Sequence, residues 1–422
     1  MTYAGLAALA LTLCLAVAVG AVTAEARSRR RPGHLVAVVV GTAAVLVVLT
    51  VVFDSAMAAA DLFRYDERAL LGPRLGLAPV EDLAWPLATA LLLPSVLTLL
   101  DARSARRVRG RVRTAGPVAG PADDRPAWRA GVRQVVGSSR PLSWINTAYP
   151  FAVAYLLAGG RVDALLVVGT AYFLVPYNLL MYGLNDVWDH ASDLANPRKG
   201  GIEGVVLDTR WHRTTVVAAV ASNVPFLVAV VALTLASDRT SGPAALVALT
   251  VSVAAVVAYS APRLRFKERP GLDSVTSATH FVGPAVVGVC LAGGTWTWPV
   301  VATVLAFVAW GCASHAFGAV QDVRADRSAG IASVATVLGA RTTVRLSAAA
   351  YAVAAVLLVT TGRPASLAAA VPLAYLASVW PFRDVSDEDC EAAHRGWRRF
   401  LWLNLVAGFA ITQGLIVVAL GG

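Results

Sequence analysis

Lysine is almost missing from this chain of 422 residues: only Lys199 and Lys267 occur, against 34 arginines. Charge of either sign is scarce, at 15% Asp, Glu, Lys and Arg together, where a water-soluble globule carries about a quarter. With 57% hydrophobic residues, that scarcity excludes a soluble globule and indicates an integral membrane protein. The four cysteines, Cys14, Cys290, Cys312 and Cys390, lack metal-ligand spacing and sit mostly in or beside apolar segments. Neither a zinc site nor a disulfide framework is expected of them. Apolar stretches of about 20 residues stand where an outer-membrane barrel would show only weak alternation, so the spans are helical. The formal charge of +10 comes from arginines in short loops between apolar segments, which reports membrane topology and argues against a nucleic-acid partner.

Twelve apolar runs stand near residues 3–23, 35–59, 83–101, 142–159, 164–184, 214–236, 243–261, 274–293, 297–317, 345–361, 365–382 and 400–420. The first has no basic stretch before it and an arginine cluster after it, so it reads as a retained span and not a cleaved signal. Alternate connections divide the basic residues 30 to six; the rich set is 24–33, 102–140, 185–213, 263–272, 318–345 and 383–399. The positive-inside rule then places that set in the cytoplasm and both termini outside it. The longest connection carries Arg103, Arg106, Arg107, Arg109, Arg111 and Arg113 before a Pro/Gly/Ala-rich stretch. It reads as a linker held near anionic lipid. The expectation is an all-α polytopic membrane protein of about 12 transmembrane helices: a three-span domain at 1–101, a linker at 102–138 and a nine-span domain at 139–422.

Two acidic constellations fall at cytoplasmic span ends. After the fifth span come Asn185, Asp186, Asp189 and Asp193, then Asn196, Arg198 and Lys199. On a continuous helix Asn185, Asp189 and Asp193 fall at about 0°, 40° and 80° and share one face. Asp322 and Asp326 repeat the spacing of four, followed by Gly330 and Gly339. Stacked carboxylates repel, and a helix keeps them most easily with cations between them. Magnesium, held by few carboxylates and completed by phosphate oxygens, fits that arrangement. One such pair would be an ordinary polar loop; two on the same side, each beside basic residues, point to a site. Between them Tyr259, Ser260, Arg263, Arg265 and Lys267 close the seventh span. A guanidinium and an ammonium beside such a cluster suit a diphosphate, although positive-inside charge alone accounts for some of them.

In this order and spacing the motifs resemble those of the UbiA-type intramembrane prenyltransferases, an α-helical family of nine spans. The resemblance covers residues 138–422. It rests on the NxxxDxxxD of Asn185, Asp189 and Asp193, the DxxxD of Asp322 and Asp326, and the Tyr259–Lys267 stretch. Within the family, residues 139–151 with Asn146, the run from Gly271 and the run from His315 most resemble bacterial lycopene elongases. Many members read Asn-x-Arg followed by Arg-Pro, whereas Asn196, Arg198 and Lys199 here precede two glycines. The resemblance implies that Asp189, Asp193, Asp322 and Asp326 hold two Mg2+ ions against the diphosphate of dimethylallyl diphosphate. It implies substrate contacts from Asn146, Asn185, Asp186, Arg198, Lys199, Tyr259, Arg265 and Lys267. It further implies attack by the terminal double bond of lycopene on an allylic cation, ended by deprotonation, hydration or ring closure.

Residues 1–101 resemble the small three-span domain of heterodimeric lycopene cyclases, on the stretch Phe53–Met57, on Tyr65, Asp66, Gly72 and Gly76, and on Pro79–Trp85. Ser55 stands where those domains commonly have Asn. Cyclisation needs an acid at a terminal double bond, and a carboxyl beside hydrocarbon suits that task. Glu81 and Asp82, with Asp54 nearby, are the candidates; the alternative is an interfacial loop capped by acids. A lone three-span half cannot enclose a long polyene, so a second lycopene cyclase subunit is the expected partner. The charge count sets Glu81 and Asp82 on the outer side, opposite the prenyltransferase motifs. The expectation is thus a plasma-membrane lycopene elongase fused to one cyclase subunit. Its rivals are a UbiA-type enzyme acting on a quinone or other aromatic or lipid acceptor, an elongase whose front domain only recruits a partner, and a twelve-span transporter. The transporter reading is opposed by the three-plus-nine division and by carboxylates at one face rather than the midplane.

Overall fold

A computed structural model of the chain describes residues 3–27, 32–59, 65, 67–96, 98–99, 127–190, 207–237 and 242–421. The chain is an all-α polytopic membrane protein. Among the described residues, eight helices are long and apolar enough to cross a membrane, and Ala7–Thr23 and Ile145–Leu157 are shorter apolar helices. Contacts divide the chain into Met1–Asp123 with Val417–Gly422, and Asp124–Ile416.

In the first unit, α1 (Tyr3–Arg27) packs on α2 (Pro32–Ala59). Both are apolar around their circumference, and Val40, Val45, Val48 and Val52 are exposed, the surface of a helix that meets lipid. A small antiparallel hairpin, β1 (Arg74–Leu75) with β2 (Ala78–Pro79), follows. It turns at Gly76 with φ 64°, a left-handed conformation that costs glycine little. A Cβ there would stand 2.6 Å from the Ser55 hydroxyl, which accepts the Leu77 N–H at 3.0 Å. Ser55 therefore fastens the turn onto α2. A 3-10 turn, Val80–Leu83, leads into helical residues 84–96, here α3.

The second unit opens with α4 (Ala127–Ser138), which packs on the helices Pro176–Trp188 and His212–Leu235. The stretch 102–138, polar and arginine-rich in sequence, thus ends in a helix of the second unit. Its Trp128, Val132 and Val136 are exposed at spacings of four, an apolar stripe suited to lipid. Helices α5 (Ile145–Leu157), α6 (Ala164–Leu174), α7 (Pro176–Trp188), α8 (His212–Leu235) and α9 (Gly242–Ser260) follow. Next come α10 (Leu272–Leu291), α11 (Trp298–Val320), the short α12 (Val323–Ser328) and α13 (Val334–Leu338), then α14 (Ala340–Val359), α15 (Ala370–Val379) and α16 (His394–Gly421). The most deeply buried span is α10, with α5, α9 and α11 packed around it.

Proline 176 breaks the span Ala164–Trp188 because it lacks an N–H and its ring displaces the preceding turn. Freed carbonyls in an apolar interior need partners. Asn178 donates to Phe173 and Leu174 at 2.9 and 3.1 Å, Thr147 of α5 donates to Phe173 at 2.6 Å, and Asn223 of α8 donates to Pro176 at 2.7 Å. Three helices are thereby tied to the break that sets the direction of α7. A second close approach joins α10 to α5: a Cβ at Gly288 would lie 2.5 Å from the Phe151 carbonyl oxygen and 3.0 Å from the Tyr155 nitrogen. Both are backbone atoms. Gly288→Ala is expected to lower stability by about 1–3 kcal/mol, read as a fall in the thermal midpoint of the detergent-solubilised protein; an unchanged midpoint would contradict this crossing.

Candidate functional site

The polar end of α7 and the turn after α9 build one charged cluster. Asn185 lies on the last turn of α7 and donates to the Ser260 hydroxyl at the end of α9, 3.0 Å away. The helix stops at Trp188, with Asp189 as its C-cap and the Asp189 N–H still bonded to the Asn185 carbonyl at 2.9 Å. The continuous helical face expected through Asp193 is therefore not formed at Asp189, whose backbone has left the helical region at φ −104° and ψ 7°. Asp193, Arg198 and Lys199, like Asp66 of the first unit, lie outside the described residues.

Asp189 is 7% exposed and Asp186 fully buried, and ionised carboxylates are buried only with charge compensation. Lys267 makes an ion pair with Asp189, the Arg265 guanidinium stands 3.4 Å from it, and Arg265 also donates to Glu268 at 2.7 Å. Burial pulls the Lys267 ammonium down to about 8, against the upward pull of Glu268 and Asp186. The Arg265 hydrogen bond holds the Glu268 carboxyl below its ordinary range. Asp186 faces Arg140 at 3.4 Å, and that guanidinium lies 4.2 Å over the Tyr182 ring. Arg140, Arg263 and Arg265 have φ of 51°, 75° and 40°, conformations costing about 1–3 kcal/mol each that persist where surrounding contacts impose them. For Arg140 and Arg265 the contacts are these ion pairs.

Lys267 joins the cluster from the turn after α9, whereas Tyr259, on α9, meets His315 and His280. Asn146 is exposed, while its neighbour Thr147 is the buried one. Sequence reasoning missed Arg140, Glu268 and Asp273. Arg140 resembles any positive-inside charge before a span, with only the following Pro141 to mark it. Asp273 is fully buried and accepts from Gly271 and Ser274 at 2.8 and 2.7 Å and from Val334 at 2.7 Å. It fastens the start of α10 to the start of α13.

The second motif lies where α11 ends. Asp322 caps α12, the Asp326 N–H bonds to the Asp322 carbonyl at 2.8 Å, and both residues are half-buried. The following loop is clamped by Arg327, which donates to Asp387 at 2.6 Å and to the Thr336 carbonyl at 2.7 Å. The Ala340 N–H and Arg327 hold the Asp387 carboxyl below its ordinary range.

Among the described residues no three His, Cys, Asp or Glu side chains converge tightly enough to hold a cation alone. The donor types nonetheless fit magnesium: Asp189, Asp322 and Asp326 offer carboxylate oxygens, and this ion takes one or two carboxylates and completes its shell with water and phosphate. Buried Asp189, compensated by Lys267 and Arg265, shows that the cluster tolerates cations against that carboxylate.

In the first unit, Glu81 is 6% exposed. Its Oε1 accepts the Leu71 N–H, and its Oε2 has no hydrogen-bond partner among the described residues. Asp82 accepts from the Tyr65 hydroxyl, and burial together with that carboxylate pushes the phenol up.

The UbiA prenyltransferase family model matches residues 147–405. The C(50) beta-cyclic carotenoids biosynthesis protein LbtBC of Dietzia sp. is 48% identical over 389 residues, 88% of each chain. The lycopene elongase/hydratase of Corynebacterium glutamicum is 47% identical over 287 residues, covering 68% of this chain and 98% of that protein. The apo structure of a UbiA homolog from Aeropyrum pernix K1 superposes with a TM-score of 0.50 at 20% identity, over 66% of this chain and 98% of that one, a likeness of fold. By its family model and by relatives at 47–48% identity, the chain belongs to the UbiA prenyltransferase family.

Proposed function

We propose that the chain transfers a dimethylallyl group from dimethylallyl diphosphate to an end of lycopene, and that its first unit serves as one subunit of a carotenoid cyclase. The observation that carries the transferase reading is buried Asp189 gripped by Lys267 and Arg265, a carboxylate and two cations at one span end. The acceptor is inferred from the relatives named lycopene elongase/hydratase, and the cyclase role from the relative named for C(50) beta-cyclic carotenoids.

Asp189, Asp193, Asp322 and Asp326 would hold the Mg2+ that stabilises the diphosphate as it leaves. Lys267 and Arg265 bind the diphosphate oxygens, with Arg198 and Lys199 as further cations and Asn185, Asp186, Asn146 and Tyr259 setting the pocket. Arg140 neutralises Asp186 and so keeps its charge from repelling the diphosphate. The apolar interior of α9, α10 and α11 keeps bulk water from the allylic cation. Lycopene then supplies the electron pair of the new carbon–carbon bond. In the second reaction Glu81 supplies the proton, with a second cyclase subunit enclosing the polyene. The enzyme works in the plasma membrane with the prenyltransferase motifs on the cytoplasmic side, following the arginine distribution.

Expression of the whole chain in lycopene-accumulating bacterial cells tests the reading. Pigments heavier by one or two five-carbon units are expected. Unchanged lycopene, with the protein folded in the membrane, would overturn this acceptor in favour of a quinone or other lipid.

A further inference from the structure

Five arginines at the ends of α14, α15 and α16 belong to elements other than those that carry Asp189, Lys267 and Asp322. Arg345, in the second turn of α14, donates to the Arg383 carbonyl at 3.2 Å and to Asp384 at 2.7 Å. It thereby ties α14 to the turn that follows α15. Arg383 approaches Asp384 at 3.5 Å, donates to the Trp380 carbonyl at 3.2 Å and lies 5.1 Å from the centroid of the exposed Trp380 ring. Two guanidinium groups therefore share one carboxylate, and their side chains stay 58% and 42% exposed. Asp384 also lines an adjoining depression of about 590 Å3 with Arg341 of α14 and with Arg395 and Arg399 of α16. Among the described residues no carboxylate is paired with any of these three. Asp389, the other acid in that lining, accepts from the Ser386 hydroxyl at 3.1 Å.

Arg345 and Arg383 flank one end of a groove of about 450 Å3 between α14 and α15. Its walls are Ala348, Ala349 and Ala352 of α14 and Leu376 of α15, with Trp380 beside the arginines. Ala352 lies seven residues beyond Arg345, so the groove follows α14 for about 10 Å. Both helices belong to spans long and apolar enough to cross a membrane, and Ala349 is exposed. The groove thus opens to hydrocarbon, while tryptophan and arginine at its end mark the level of the headgroups. Some acyl chain fills any such groove in a bilayer; what distinguishes one lipid from the bulk is its head. Here the head meets five arginines against Asp384 and Asp389, and guanidinium groups bind phosphate oxygens through paired hydrogen bonds. Positive-inside charge explains why arginines gather at this end of the spans. It does not place two of them at the opening of an alanine-walled groove, an arrangement suited to an anionic lipid head.

We propose that this groove is a binding site for an anionic phospholipid, with the phosphodiester against Arg345 and Arg383 and one acyl chain between α14 and α15. The adjoining depression beside Arg341, Arg395 and Arg399 takes the rest of the head. A free phosphate would use the arginines and leave the groove idle. A zwitterionic lipid would fill the groove and bring a cation to a surface where positive charge is already in excess.

The test uses the whole chain, delipidated in detergent and offered phosphatidylglycerol and phosphatidylcholine of identical acyl chains in equal amounts. Retained lipids are counted by native mass spectrometry. Wild type is expected to hold one phosphatidylglycerol in preference to phosphatidylcholine by about 10-fold or more, the selectivity that two arginines at a lipid head supply. The double variant Arg345→Gln, Arg383→Gln is expected to retain one phosphatidylglycerol fewer. Ala349→Phe fills the groove from an exposed position and leaves the arginines and the interior packing in place; it is expected to lose the same lipid. Soluble dihexanoyl phosphatidylglycerol is expected to displace the bound lipid, and inorganic phosphate at the same concentration is expected to leave it bound. Equal retention of the two lipids by wild type overturns the proposal, as does full retention by either folded variant. Displacement by phosphate alone would show an anion site without a lipid and overturns it too.

Discussion

Asp189→Asn is expected to lower prenyl transfer by about 1000-fold, close to 4 kcal/mol of lost transition-state stabilisation, while the protein still accumulates in the membrane. The amide keeps the size of the side chain and an oxygen that accepts hydrogen bonds. It removes the charge that balances Lys267 and Arg265 at the end of α7 and weakens a hard-cation ligand. Asp322→Asn is expected to act alike from the other motif. Dimethylallyl diphosphate consumption in isolated membranes, followed against added Mg2+, is the measurement. Normal turnover by either variant would refute the metal assignment. A loss repaired by raising Mg2+ would instead place the defect in metal affinity and support it.

Glu81→Gln is expected to remove cyclic product by about 100-fold or more in cells that also supply the partner subunit, with five-carbon gain continuing at the wild-type rate. Glutamine still offers an oxygen to the Leu71 N–H, so the loop retains that anchor. What disappears is the carboxyl proton of a side chain 6% exposed, whose second oxygen has no partner among the described residues. Asp82→Asn provides the contrast, because Asp82 is engaged by Tyr65; a smaller loss is expected from it. Cyclic product at the normal level in the Glu81 variant would exclude Glu81 as the acid and favour a front unit that only recruits its partner.

Much of the site is legible in the sequence because carboxylates beside apolar spans are costly and therefore stand out. Asp189, Asp322 and Asp326 are visible that way, and Lys267 as one of only two lysines. Arg140 and Glu268 are not: their types are ordinary at a span end, and their meaning lies in meeting Asp186 and Arg265. The helix end at Asp189 also escapes periodicity, because a stop one residue past Trp188 leaves the pattern of residue types unchanged.

By itself the sequence determined that the chain is a helical membrane protein and which connections carry the positive charge, since low charge content and long apolar runs admit no other solvent. Tertiary structure decided which cation compensates which buried acid, how Thr147, Asn178 and Asn223 repair the break at Pro176, and that the His280 ring stands edge-on to Tyr259 in the interior. Those outcomes depend on where helices far apart in the chain cross. Crossing geometry is set by backbone contacts such as Gly288 against Phe151, which no local pattern of residue types records.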